Sequence, residues 1–166
     1  NISTVLAYGY GTDKVDTRFE KNFYAGIVEV DGKTIMMDNG KPLEYHPLEL
    51  KLNLTGSPYV KTAGARMAKY EVDRKSFSDG RQPDNDLVLF RYADAVLMKA
   101  EAMVRNGEDA NSVFNQIRSR VEMPAKEATL ANILDERLLE LVWEGGRRND
   151  MIRYGYFHQS YDMRTA

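Results

Sequence analysis

Cysteine is absent from the 166 residues, which excludes disulfides, thiolate metal sites and cysteine nucleophiles within this chain. Histidine is nearly absent: His46 and His158 alone leave little for a His-rich metal site or a Ser-His-Asp triad. No apolar run approaches the roughly 20 residues needed to span a bilayer. Charge of one sign is lacking too, and a formal net charge of -2 gives no electrostatic reason to expect nucleic acid or an acidic membrane surface as partner. The start carries no charged n-region and apolar h-region, so no signal peptide is visible. It also carries no initiator Met. A chain opening on Asn1 leads us to expect a piece of a longer or processed protein, and leaves the compartment of that parent open.

What remains is an ordinary globular composition, 43% hydrophobic and 29% charged, long enough for one domain with a core. The composition changes near residue 85. Residues 1–85 are punctuated by Gly, Asn, Asp and Pro and read as a loop-rich part; residues 86–166 are rich in Ala, Leu, Glu and Arg and read as helical. In the front part, residues 1–15 read as loop. Asp31-Gly32 between two β-favouring runs predicts a hairpin, which is the firm element there. Residues 38–68 read as loop with one short strand, Lys69 to Val72 as a short strand, and Asp73 to Asp84 as polar loop.

In the back part, Asp84 or Asp86 is placed to cap a helix running to about Arg105, with Leu89, Ala93, Val96, Leu97, Ala100 and Val104 as its buried stripe. Asn106-Gly107 ends it. A second helix spans about Asp109 to Val121, burying Ala110, Val113, Phe114, Ile117 and Val121. Thr129 caps a third, predicted to run to about Glu144 with Leu134, Leu138, Leu141 and Val142 on its inner face. Gly145-Gly146 breaks it, residues 147–154 form a last short helix, and 155–166 trail off. The first two helices look like one tetratricopeptide-type hairpin, with no second copy at a period of about 34.

Several clusters invite a chemical reading. Glu136, Glu140 and Glu144 recur at steps of four, as a carboxylate metal site or acid/base pair would require. A helical di-metal site also needs Glu-x-x-His, and neither His is placed for it. Pairing with Arg91, Arg137, Arg147, Arg148 or Arg153 is the plainer expectation. Asp73, Asp79, Asp84, Asn85 and Asp86 depart from the spacing of a calcium loop and read as turn and cap residues. No motif nominates the facing carboxyls of a glycoside hydrolase. Aromatic residues crowd the front part; Phe19, Phe23 and Tyr24 read as core. Tyr8 and Tyr10, flanking glycines in a loop, are the candidate ligand-binding residues, since a loop aromatic can stack on a sugar ring.

Two runs carry a family resemblance. Arg91-Tyr-Ala-Asp-Ala-Val-Leu-Met-Lys-Ala-Glu-Ala102 and Glu136-Arg-x-x-Glu-x-x-x-Glu-Gly-x-Arg-x-x-Asp-Met-Ile-Arg153 resemble the two helical motifs of the SusD/RagB family of Bacteroidetes outer-membrane lipoproteins. Asn115-Gln-Ile-Arg-Ser-Arg120, Asp16-Thr-Arg18 and Lys69-Tyr70 resemble its smaller motifs, in the same order. The resemblance implies a mainly α, SusD-like fold of tetratricopeptide-like helix pairs with long loops and a small β-hairpin, covering the C-terminal region of the family without its N-terminal helical region. It implies a non-enzymatic protein at the cell surface, lipid-anchored to the outer membrane through a part outside this chain. Such a protein captures oligosaccharides, or another nutrient, for a SusC-like TonB-dependent transporter; no cofactor or metal is implied. Gly146 departs from the bulkier residue common there. The motif residues look structural, and ligand residues lie on the family's variable loops. The other reading is a tetratricopeptide-like protein-interaction scaffold without a small ligand.

Overall fold

The computed structural model describes residues 2–51, 53–70, 73, 76, 80 and 84–158. The expected strand residues Glu71 and Val72, the loop residues Phe77 and Asp79, and the tail from 159 onward lie outside these. The chain forms two units, Asn1–Met67 with Arg148–Ala166, and Ala68–Arg147, whereas the composition changes near residue 85. Among the described residues the regular structure is six helices and six two-residue strands, a mainly α protein with long loops.

The first unit opens with a helix, α1 (Ile2–Ala7), where the sequence predicts loop. Val5 and Tyr8, three apart, are both buried, and that apolar step is what the expectation of a loop overlooked. Asp16 and Arg18 then form a buried bidentate pair, Arg18 Nε and Nη2 donating to the two carboxylate oxygens at 2.9 and 2.7 Å. The Asp-x-Arg spacing therefore closes a tight corner before α2 (Phe19–Asn22). Strands β1 (Phe23–Tyr24), β2 (Gly26–Ile27), β3 (Glu29–Val30), β4 (Lys33–Thr34), β5 (Glu44–Tyr45) and β6 (Arg66–Met67) pair as β1–β6, β2–β5 and β3–β4, all antiparallel. Asp31 and Gly32 link β3 to β4 with φ of 52° and 71°, the two left-handed residues of a type I′ turn, so the predicted hairpin is present. The stretch 38–68 contributes two strands where one is expected.

In the second unit, α3 (Tyr92–Arg105), α4 (Asn111–Arg120) and α5 (Leu130–Glu140) enclose the core. Leu97, Ala100, Phe114 and Ile133 lie at its centre, fully buried. The predicted stripes of all three helices point inward, with one correction: Leu89 is 77% exposed, because α3 starts at Tyr92 and not at residue 84 or 86. Arg91 is extended (φ -142°, ψ 159°), and residues 84–90 carry no helix. Leu87, Phe90 and Tyr92 are likewise exposed, a short apolar strip leading into the helix.

Helix ends follow one device. Gly107 has φ 77°, Glu108 N–H donates to Met103 O at 2.9 Å and Gly107 N–H to Val104 O at 3.1 Å, the paired bonds of a Schellman cap. The end of α4 is closed by the same pair of bonds, Met123 N–H to Arg118 O and Glu122 N–H to Ser119 O, yet Glu122 carries a side chain at φ 57°. Thr129 Oγ1 accepts from Asn132 N–H at 3.2 Å, the predicted N-cap of α5. The connection from α4 to α5 is sewn back by the Asn115-x-x-Arg118 motif: Asn115 Oδ1 accepts from Lys126 N–H, and Arg118 Nε donates to Pro124 O.

Phe114→Ala is expected to cost about 3–5 kcal/mol, read as a lower urea midpoint, since it empties the centre of the three-helix core. Glu122→Gly is expected to stabilise by about 0.5–1 kcal/mol in the same titration, because glycine relieves the left-handed strain at a modest entropic cost. An unchanged or lowered midpoint for the glycine variant would show that Glu122 is unstrained.

Candidate functional site

The motif carboxylates of α5 are all engaged with cations. Glu136, buried, accepts from Arg118 Nη1 at 2.6 Å. Arg137 Nη1 donates to Asp94 on α3 at 2.7 Å. Glu140 Oε1 accepts from Arg91 Nη1 and Arg120 Nη2, both at 2.7 Å. Its backbone carbonyl accepts from Lys69 Nζ at 2.8 Å and from Arg91 Nη2. Two cations thereby satisfy an end-of-helix carbonyl where the helix dipole is negative. α5 then stops at Glu140, four residues short of the predicted end: Trp143 and Gly145, at φ 68° and 80°, cannot continue a right-handed helix. This turn brings Glu144 to Arg91 Nε at 2.9 Å and onto Lys69. Arg147 donates to Leu134 O at 2.7 Å, and in α6 (Arg147–Arg153) Arg153 pairs with Asp150 at 2.8 Å.

Arg91 is one of the five arginines expected to pair with these carboxylates; Lys69, Arg118 and Arg120 are not among them, and all four lie beyond the reach of helical spacing. Burial raises the Glu144 carboxyl, but hydrogen bonds from Arg91 and Lys69, with their charges, outweigh it and hold the group below the usual carboxylate range. Burial pulls the Lys69 ammonium down further than its Glu144 contact restores. The arrangement neutralises every motif carboxylate, and among the described residues no group of three or more His, Asp or Glu gathers as for a metal ion. Asp73 Oδ2 instead accepts from Asp84 N–H, eleven residues on, at 3.1 Å.

The two aromatic candidates meet different fates. Tyr8 is 1% exposed, packed against Phe19 and Phe23 with ring centroids 5.9 and 5.4 Å away, and its hydroxyl accepts from Asn22 Nδ2 at 3.1 Å. A ring enclosed in this way presents no face to a sugar, so Tyr8 is a core residue. Its position directly after a helix, and not in an open loop, is the reason. Tyr10 is half-buried, with its ring 5.1 Å from that of Phe19.

The first unit also holds a cleft of about 370 Å³ that the sequence did not single out. The β2–β5 ladder supplies Ile27 and Glu44, with His46 just beyond it; the turn before β5 supplies Asn39 and Lys41; the segment 58–62 supplies Tyr59 and Thr62. His46 and Tyr59 face each other with ring centroids 4.5 Å apart at 53°. The backbone fixes these walls: His46 N–H donates to Thr62 O, Gly64 N–H to His46 O, and Ala63 N–H to Tyr59 O, all within 2.9 Å. Asn39-Gly40, His46-Pro47 and Ser57-Pro58 are legible in sequence as turns; that three turns converge on one cleft is not.

The chain thus holds a three-helix unit whose motif charges are paired, and a loop-rich unit with a mixed aromatic and polar cleft. The sequence profile of the SusD family matches residues 7–165, and the chain belongs to that family. The starch-binding protein SusD of Bacteroides thetaiotaomicron is 40% identical over 90 residues, 53% of this chain and 16% of that protein. Among solved structures, surface glycan-binding protein A from Bacteroides thetaiotaomicron is 31% identical with a TM-score of 0.53, over 58% of this chain and 22% of its own. Surface glycan-binding protein A from Bacteroides uniformis shares the fold more widely, with a TM-score of 0.63 at 20% identity over 94% of this chain and 30% of that one. The chain therefore spans a minor share of the length of each relative.

Because the Glu144 carboxyl titrates lower when folded, its contribution is complete above the ordinary carboxylate range and is lost as pH falls through the depressed value. Glu144→Gln is expected to cost about 1–3 kcal/mol at neutral pH. Urea midpoints of wild type and variant are expected to converge as pH falls below the ordinary carboxylate range, and a gap that stays constant on acidification would refute the linkage.

Proposed function

We propose that the protein carrying this chain is a non-enzymatic glycan-capturing component of the bacterial outer membrane. It is lipid-anchored at the cell surface and delivers oligosaccharides to a SusC-like TonB-dependent transporter. Membership of the SusD family over residues 7–165 carries the reading. The names of the relatives, starch-binding and surface glycan-binding, support a carbohydrate ligand. The engagement of the motif carboxylates with cations supports a scaffold role for the helices, because a carboxylate held in ion pairs is poorly placed as a general acid. Ligand contact then falls to the loops of the first unit, where Tyr10 is only partly buried. The second reading, a protein-interaction scaffold, is favoured by the exposed strip Leu87, Leu89, Phe90 and Tyr92.

Calorimetric titration of the intact protein with a panel of oligosaccharides is expected to show saturable binding without product release. Release of shorter sugars would replace the reading with a hydrolase. Absence of binding across the panel, with co-purification of a protein partner lost on Phe90→Ser, would replace it with the scaffold.

A further inference from the structure

We infer that the cleft between residues 37–46 and 58–62 is a glycan subsite that takes a neutral hexose-type sugar; the inference rests on the glycan-capture reading above. A pyranose offers an apolar C–H face and a rim of hydroxyls that both donate and accept. A site for it needs a ring wall and a mixed set of polar groups. The cleft holds both. Tyr59 and His46 form the ring wall. Around it, the Asn39 amide nitrogen and the Lys41 ammonium are donors, and the Glu44 carboxylate is an acceptor for two adjacent hydroxyls. The Thr62 hydroxyl both donates and accepts.

These groups are available. Asn39 Oδ1 accepts from Lys41 N–H, which fixes the amide and leaves its nitrogen as a donor. His46 Nε2 and Glu44 Oε2 are 3.9 Å apart, beyond hydrogen-bond reach, so each keeps its capacity for a ligand. The backbone bonds that tie His46 to Thr62 and Gly64 hold the wall in place before binding, which lowers the ordering cost. The charge pattern sets the class of sugar. Lys41 and Glu44 carry opposite charges, so the cleft has no excess of positive charge to favour a uronate or sulfate over a neutral sugar.

The test is calorimetry on the intact protein with neutral oligosaccharides (malto-, cello-, xylo- and manno-series) and anionic ones (oligogalacturonate and a sulfated oligosaccharide). Glu44→Gln and Tyr59→Ala are compared with wild type, and folding is checked by circular dichroism. A neutral sugar is expected to bind, with affinity reduced about tenfold or more in each variant. Glu44 is exposed on its strand, so Glu44→Gln keeps the fold and decides the matter if Tyr59→Ala does not fold. Wild-type affinity in the folded variants would overturn the cleft while leaving glycan capture standing. A preference for the anionic series would overturn the neutral class. Silence across the panel would overturn the cleft and glycan capture together.

Discussion

The second unit depends on the last residue of α5. Glu140 is buried, yet it presents both a carboxylate and an unsatisfied end-of-helix carbonyl. Either group alone would be costly in a dry interior. Arg91 answers both at once, since its planar fork reaches Oε1 through one nitrogen and the carbonyl through the other. Lys69 and Arg120 complete the set. Three separate pieces of chain thus converge on one residue, and the start of α3, the end of α4 and the end of α5 are fixed by the same contacts. The motifs of the SusD family read as the specification of this junction.

How much of this was legible in the sequence varies with the range of the interaction. Local signals read well: the Asp31-Gly32 turn, the Thr129 cap, the Asn106-Gly107 terminus and the apolar stripes of α3, α4 and α5 all rest on neighbours within a turn or two of chain. Failures came where a distant partner decided. α3 begins at Tyr92 because Arg91 is drawn out by Glu140 and Glu144, and nothing near residue 86 announces that. α5 ends at Glu140 for the same reason, with Trp143 accepting a left-handed backbone so that Glu144 can turn back.

The aromatic residues teach a related lesson. Tyr8 and Tyr10 look alike in sequence, each beside a glycine, and differ in burial because Tyr8 follows α1 directly and meets Phe19 and Phe23. Tyr59 had no comparable sequence cue, yet it borders the cleft because its backbone anchors the turn that pairs with His46. In a unit built from two-residue strands, the placement of a ring is settled by which turns share hydrogen bonds, and composition is silent on that.

The geometry at Arg91 also has a mechanical consequence. Residues 84–90 lead into Arg91 from the exposed side, and their apolar side chains grip little of the unit. Tension entering along that segment reaches the guanidinium before it reaches the first turn of α3. Four oxygens, two of Glu140 and two of Glu144, then share the load in parallel. A helix peeled from its end yields one hydrogen bond at a time; this anchor yields only when several charge-assisted contacts shear together. Arg91 thereby makes the entrance to α3 resistant to being pulled apart.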